Sequence, residues 1–96
     1  MAIVTTMRLD GDPDQLLSEK QEVIDPIAME LAPKYGGIAH ICARCDTGLM
    51  IINVWESEEG MEKMSAEVRA KAQDAGLTEP SDWQQYELVQ HVTTGG

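Results

Sequence analysis

Two apolar runs meet at Thr47-Gly48, and the alternation on either side restricts this stretch to a hairpin whose two faces differ in chemistry. Ile38-Ala-His-Ile-Cys-Ala-Arg-Cys-Asp46 leads into the turn and Leu49-Met-Ile-Ile-Asn-Val-Trp55 leads out of it. A two-residue Thr-Gly turn predicts that Asp46 pairs with Leu49, Arg44 with Ile51, Cys42 with Asn53 and His40 with Trp55, because opposed residues of an antiparallel pair share a face. One face is then Ala39, Ile41, Ala43, Cys45, Met50, Ile52 and Val54, small and wholly apolar, and reads as core. The other mixes His40, Cys42, Arg44, Asn53 and Trp55 with Ile38, Leu49 and Ile51, the kind of lining found in small-molecule pockets. A three-residue turn over Asp46 to Gly48 would mix the two sets, and the clean apolar face favours the shorter one.

The remaining elements follow from periodicity and punctuation. Ala2 to Leu9 alternates as a strand and stops at the turn-forming Asp10-Gly-Asp-Pro-Asp14. A helix starts at Pro13, with the apolar stripe Leu17, Ile24, Ile27, Ala28, Leu31 and Tyr35. Asp25-Pro26 interrupts it, so a kink or two short helices are expected before Gly36-Gly37. After the hairpin, Ser57 caps a second helix that runs to Ala75, with Glu58 and Glu59 at its positive end and a buried stripe of Met61, Met64, Val68, Ala72 and Ala75. Gly76 stops it. A last strand is expected near Trp83 to Thr93, and Thr93-Thr-Gly-Gly96 reads as a loose tail.

The order βαββαβ predicts an α+β, ferredoxin-like domain over residues 1–96, with both helices on one face of a four-stranded antiparallel sheet. If those helices cover the Ala39, Ile41, Met50 and Ile52 face, nothing in the chain covers Ile38, Leu49, Ile51 and Trp55. A second copy is the simplest cover, and two sheets face to face would enclose a cavity.

Composition narrows the partners. A formal charge of −10 with only 7 Lys and Arg argues against nucleic acid and anionic membrane surfaces, which need a basic footprint. The chain has no apolar run of membrane-spanning length and no basic, apolar leader at its start, so a cytoplasmic location is expected. Cys42 and Cys45 spell C-x-x-C, but strand residues three apart project to opposite faces, so the pair reads as two small thiols rather than a redox or metal site. No Gly-rich cradle for a nucleotide or flavin stands between a strand and a helix, and no metal-ligand set is complete, so no cofactor is expected.

The segment Asn53-Val-Trp-Glu-Ser-Glu-Glu-Gly-Met-Glu-Lys-Met64, a strand ending in Trp followed by a polar helix cap and an apolar-periodic helix, resembles the dimeric α/β barrel superfamily and its antibiotic biosynthesis monooxygenase-like group. In element order and length the resemblance spans nearly the whole chain. It implies a homodimer and oxygenation of a small aromatic or polyketide-like ligand without a cofactor. The family commonly carries a His nine residues beyond the Trp, where this chain has Met64. The haem-degrading branch uses an Asn from its first strand, and Ile3-Val-Thr-Thr-Met-Arg8 offers none. Both departures count against haem degradation.

The candidate catalytic residues are His40, a potential general acid or base, and Asn53, a potential donor to an oxyanion. Arg44 is suited to hold a carboxylate or phenolate, and Trp55 to form a flat wall beside Ile51 and Ile38. The same set serves isomerisation or cyclisation as well as oxygenation. Each also has a plainer role: His40 as a hydrogen-bonded sheet residue, Trp55 as an interface anchor and Arg44 as a surface ion-pair partner, which would make the chain a non-catalytic binding dimer.

Overall fold

Eight segments follow one another in a computed structural model that describes residues 1–94: β1 (Ile3–Asp10), α1 (Pro13–Glu19), a π-helical turn (Lys20–Ile24), α2 (Asp25–Tyr35), β2 (Gly37–Cys45), β3 (Gly48–Trp55), α3 (Glu58–Asp74) and β4 (Ser81–Glu87). Capping residues set the helix starts. Asp12 accepts the Gln15 N–H ahead of Pro13, and the Ser57 hydroxyl accepts the Gly60 N–H at 3.1 Å. Pro26 has no N–H and crowds the carbonyl four residues back, and the chain absorbs this with the π turn. The Asp25 N–H reaches the Lys20 carbonyl, five residues back. The buried Lys20 ammonium closes the same turn on Asp25 Oδ1 at 2.5 Å. The expected interruption is therefore a change of helical pitch rather than a break.

The strands form one antiparallel sheet in the order β2-β3-β1-β4, so the chain has the α+β ferredoxin-like fold. Ile3 and Trp55 pack beneath Met61 and Met64 of α3, with Ala28, Leu31, Ala32 and Tyr35 of α2 closing around them. Both long helices thus lie on the face that carries Trp55. No helix among the described residues is long and apolar enough to cross a membrane.

The hairpin differs from the expected one in two ways. Its turn is Asp46-Thr47, with Cys45 opposite Gly48, so every partner moves by two residues. Arg44 faces Leu49, Cys42 faces Ile51, and His40 faces Asn53 instead of Trp55. Gly48 belongs to the strand because the end of β1 passes so close that a Cβ there would stand 2.1 Å from the Leu9 carbonyl oxygen. A shift of two preserves side-chain parity, so the two sets of residues stay on separate faces.

The assignment of those faces is reversed. The mixed face, with Leu49, Ile51 and Trp55 all buried, lies under the helices, while the small apolar face of Ala39, Ile41, Ala43, Cys45, Met50 and Ile52, with the buried Val54 at its end, carries no helix and lies beside Val4, Thr6 and Tyr86. Ile41 is 52% and Tyr86 54% exposed. Volume decides this: large side chains fill the gap between helix and sheet, whereas alanines and a cysteine form a flat surface too shallow to do so. Two smaller differences remain. Leu16 rather than Leu17 is the buried residue of α1, and β4 ends at Glu87 rather than Thr93. The end of the tail expected over Thr93 to Gly96 lies outside the described residues.

Substituting Gly48→Ala should destabilise the protein by about 3 kcal/mol or more, because the new methyl meets backbone that cannot yield. Gly76→Ala shares a positive φ but meets nothing within 4 Å, and should cost only about 1–2 kcal/mol. Denaturant titration of the two variants measures the difference.

Candidate functional site

A polar row crosses the helix-side face of the sheet: His40 on β2, Asn53 on β3, Thr5 on β1 and Gln85 on β4 stand side by side. Apolar neighbours bound it, with Trp55 and Ile3 on one side and Ile51 and Met7 on the other. The row is exposed at both ends, at His40 and Gln85, and buried between them. His40 on the edge strand is exposed, Asn53 is half-buried, and Thr5 is 1% exposed.

Two hydrogen bonds fix its members. His40 Nδ1 lies 2.5 Å from Asn53 Oδ1. An amide oxygen only accepts, so in this contact Nδ1 is the donor. Deeper in, the Trp55 indole N–H donates to Thr5 Oγ1 at 3.0 Å, which satisfies a donor that would otherwise be stranded among methionines.

Of the residues singled out from the sequence, His40 and Asn53 are in contact. Trp55, 5% exposed, lies at the inner end as part of the core, and Ile51 is buried next to the same row. Neither is at an open sheet face. Ile38 occupies a bulge between Gly37 and Ala39 and is exposed. Arg44 reaches away from His40 to the Asp14 carboxylate in the first turn of α1. Thr5 and Asp14 had no signal of their own in the sequence: a threonine within a β-branched strand and an acid within a turn look ordinary until tertiary contacts are known.

Two surface depressions lie elsewhere. One of ≈310 Å³ sits between the end of α2 and the start of α3, lined by Tyr35, Gly36, Glu56 and Lys63 among others. Beside it the Lys63 ammonium hydrogen-bonds and attracts Glu59, which holds that carboxyl below its ordinary range and the ammonium above its own. The other, ≈490 Å³, runs along α2 and α3 past Ile27, Leu31 and Ala70. Neither touches His40 or Asn53, and neither has convergent chemistry, so the polar row is the better candidate.

No protein-family model and no curated protein matches the chain. Solved structures do. A variant of SnoaB, a cofactor-independent oxygenase from Streptomyces nogalater, is 18% identical over 95% of this chain and 94% of its own, with a TM-score of 0.62. A Chloroflexus aurantiacus protein provisionally assigned as an antibiotic biosynthesis monooxygenase is 16% identical over 99% of this chain and 100% of its own, with a TM-score of 0.66. A dimeric ferredoxin-like protein from an uncultured marine organism is 16% identical over 97% and 99%, with a TM-score of 0.70. The chain therefore has the fold of the antibiotic biosynthesis monooxygenase-like proteins, as the segment from Asn53 to Met64 implies.

The Trp55–Thr5 bond can be tested by a double-mutant cycle. Thr5→Val should cost about 1–3 kcal/mol by leaving the buried indole N–H unpaired, and Trp55→Phe a comparable amount plus lost packing. Joining the two removes both polar groups, so the double variant should be more stable than the sum of the single losses predicts. Thermal or urea unfolding measures all four corners.

Proposed function

We propose that the protein is a small-molecule enzyme that oxygenates an aromatic or polyketide-like substrate without a cofactor, with His40 as its base and Asn53 as the group that orients it. The supporting observation is the hydrogen bond from Nδ1 to Asn53 Oδ1, which holds the ring by one nitrogen and leaves Nε2 to act as the base. Nε2 takes the proton of a phenolic or enolic hydroxyl, and the electron-rich anion adds dioxygen at carbon. The resulting peroxide takes a proton back from the imidazolium and loses water to give a quinone. One dioxygen is consumed and one water formed per substrate. Ile51 forms part of the floor and Trp55 closes the inner end. Arg44 at the rim exchanges Asp14 for an anionic substituent, and Ile38 flanks the entrance.

In this reading the enzyme is a cytoplasmic homodimer joined through the open sheet face, not through the Trp55 face. The chain exposes 6182 Å² at 10.6 kDa, whereas monomers of that mass expose about 5,500 Å². The difference of roughly 700 Å² approaches the ~800 Å² that each partner hides in an ordinary interface.

Oxygen uptake with 1-naphthol and a hydroxylated anthracenone tests the chemistry. Wild-type protein should consume one dioxygen per molecule of substrate. His40→Ala should lower turnover by about 10²–10⁴-fold without loss of fold, and Asn53→Ala, which lets the ring turn, by up to about 100-fold. Oxidation unaffected by His40→Ala would remove the base from the mechanism, and loss of substrate without oxygen uptake would favour isomerisation or cyclisation.

Sedimentation at micromolar concentration tests the assembly. Wild-type chain should be a dimer, and Ile41→Lys a folded monomer. Ile51→Lys should unfold the chain, since that residue is buried beneath the helices. A monomeric wild type would end the dimer reading.

A further inference from the structure

Among the described residues, Lys20 is the only charged side chain that is buried, at 6% exposure. Its ammonium meets Asp25 Oδ1 at 2.5 Å, and that carboxylate, a third exposed, is its one protein acceptor among those residues. An ammonium has three N–H donors, so two remain for other partners. Stability alone does not call for such a group, because a buried ion pair is often no better than packed apolar side chains of the same volume. The pair also closes a π turn, a distortion that occurs frequently at functional sites.

The fold brings this cation towards the polar row. α1 touches β3 and α2 touches β2, so the helical run from Pro13 to Tyr35 covers the side of the sheet that carries Asn53 and His40. That run travels back along β1: Leu16 packs beside Gly11, where β1 has ended, while Ala28 and Leu31 pack on Ile3 and Trp55. Counted back from Leu31 at about 1.5 Å per helical residue and about 3.4 Å per strand residue, Lys20 stands level with Met7 to Leu9. Its stem extends forward to Asp25, five residues on, which carries the ammonium level with Met7, Ile51 and Cys42. The row of His40, Asn53 and Thr5 comes next, about 7 Å along the strands.

We propose that Lys20 is the cation of this site: when His40 takes the hydroxyl proton of the substrate, a Lys20 N–H donates to the oxygen left negative. This rests on the oxygenase reading above. The proton passes from the substrate oxygen to the imidazole, Lys20 keeps its own three, and no bond to its nitrogen forms or breaks. One oxygen bonded to both groups sets the two nitrogens within about 6 Å of each other, a gap that the flexible lysine stem closes from the neighbouring row. Without it the new anion would form in a chain of formal charge −10 with no cation facing it, since Arg44 reaches away to Asp14. The substrate class narrows accordingly: a phenol or enol whose acidic hydroxyl points under the helices, with the rest of its ring system outward along the β2 edge.

Two ligands of nearly the same shape separate this role from a structural one. 2,4-Dinitro-1-naphthol is an anion at neutral pH, and 1,3-dinitronaphthalene is the same ring system without the oxygen. Calorimetry on the full chain should show that Lys20→Met weakens the naphtholate by about tenfold or more and the neutral compound by less than about threefold, while Lys20→Arg keeps both. Asp25→Asn takes a competing charge from the ammonium and should leave the naphtholate bound as tightly as before or more so. Should Lys20→Met fail to fold, Lys20→Met with Asp25→Asn removes the pair together and should show the same selective loss. Equal weakening of both ligands, or a loss of naphtholate on Asp25→Asn as large as on Lys20→Met, would mean that Lys20 only closes the turn. If that is seen while wild-type protein still takes up oxygen with 1-naphthol, the oxygenase reading stands without Lys20. A wild type that binds neither compound and takes up no oxygen refutes both.

Discussion

Trp55 sets most of this structure. An indole at the end of β3, an inner strand, hides on the order of 200 Å² when buried, about 5 kcal/mol of transfer free energy, and the sheet's other indole, Trp83 on the edge strand β4, is 41% exposed. The gain at Trp55 is available only if its N–H finds an acceptor inside, and Thr5 on the neighbouring strand supplies one. With that bond made, Met61 and Met64 close over the ring, α3 lies down on the Trp55 face, and α2 follows with Leu31 and Tyr35. The other face of the sheet is left without helices as a direct consequence.

The position of the polar row follows from the same packing. Burial under the helices is deepest on β1 and β3, at Ile3, Thr5, Leu49, Ile51 and Trp55, and His40 and Asn53 sit where it fades into solvent. A histidine placed two strands further in would be sealed beneath methionine, and one on the open face would be among alanines and isoleucine. At the margin it stays exposed while bonded to Asn53. Arg44, held by Asp14 rather than aimed at His40, belongs to the same exposed edge.

Element order, helix caps and the separation of the hairpin into two faces were legible in the sequence, because each depends on residues close together in the chain. Ser57 caps α3 and Gly76 follows it, as their residue types require. Which face is buried was not legible. Apolar purity pointed to the Ala39–Ile41–Ala43 side, but helix packing selects for volume, and the comparison needs to know how far the helices stand from the sheet. The turn was misplaced because Gly48 looks like a turn residue, whereas the demand it meets is the nearby β1 backbone, forty residues earlier in the chain. The end of the last strand failed for a related reason: Val89 to Thr93 have strand chemistry, but a strand exists only where another one is beside it. Parity survived these errors, so His40 and Asn53 share a face, but as direct cross-strand partners in place of the expected Trp55 and Cys42.

The chain's charge is compatible with self-association because of where it lies. Bringing together two copies of formal charge −10 would be unfavourable if acids lined the contact. On the open face the strands present Val4, Thr6, Met50, Ile52, Val54, Ile41 and Tyr86, and the charges at its end, Arg8 and Asp82, face each other, while Glu58, Glu59, Glu62 and Glu67 ride on α3 across the sheet. In a face-to-face dimer the two acidic layers are separated by both sheets and the ~10 Å between them, beyond the screening length of about 8 Å at physiological salt. Repulsion at that distance is weak, and the same acids discourage stacking through the helix side. Charge thus opposes close approach of a second copy less on the open face than on the helix side.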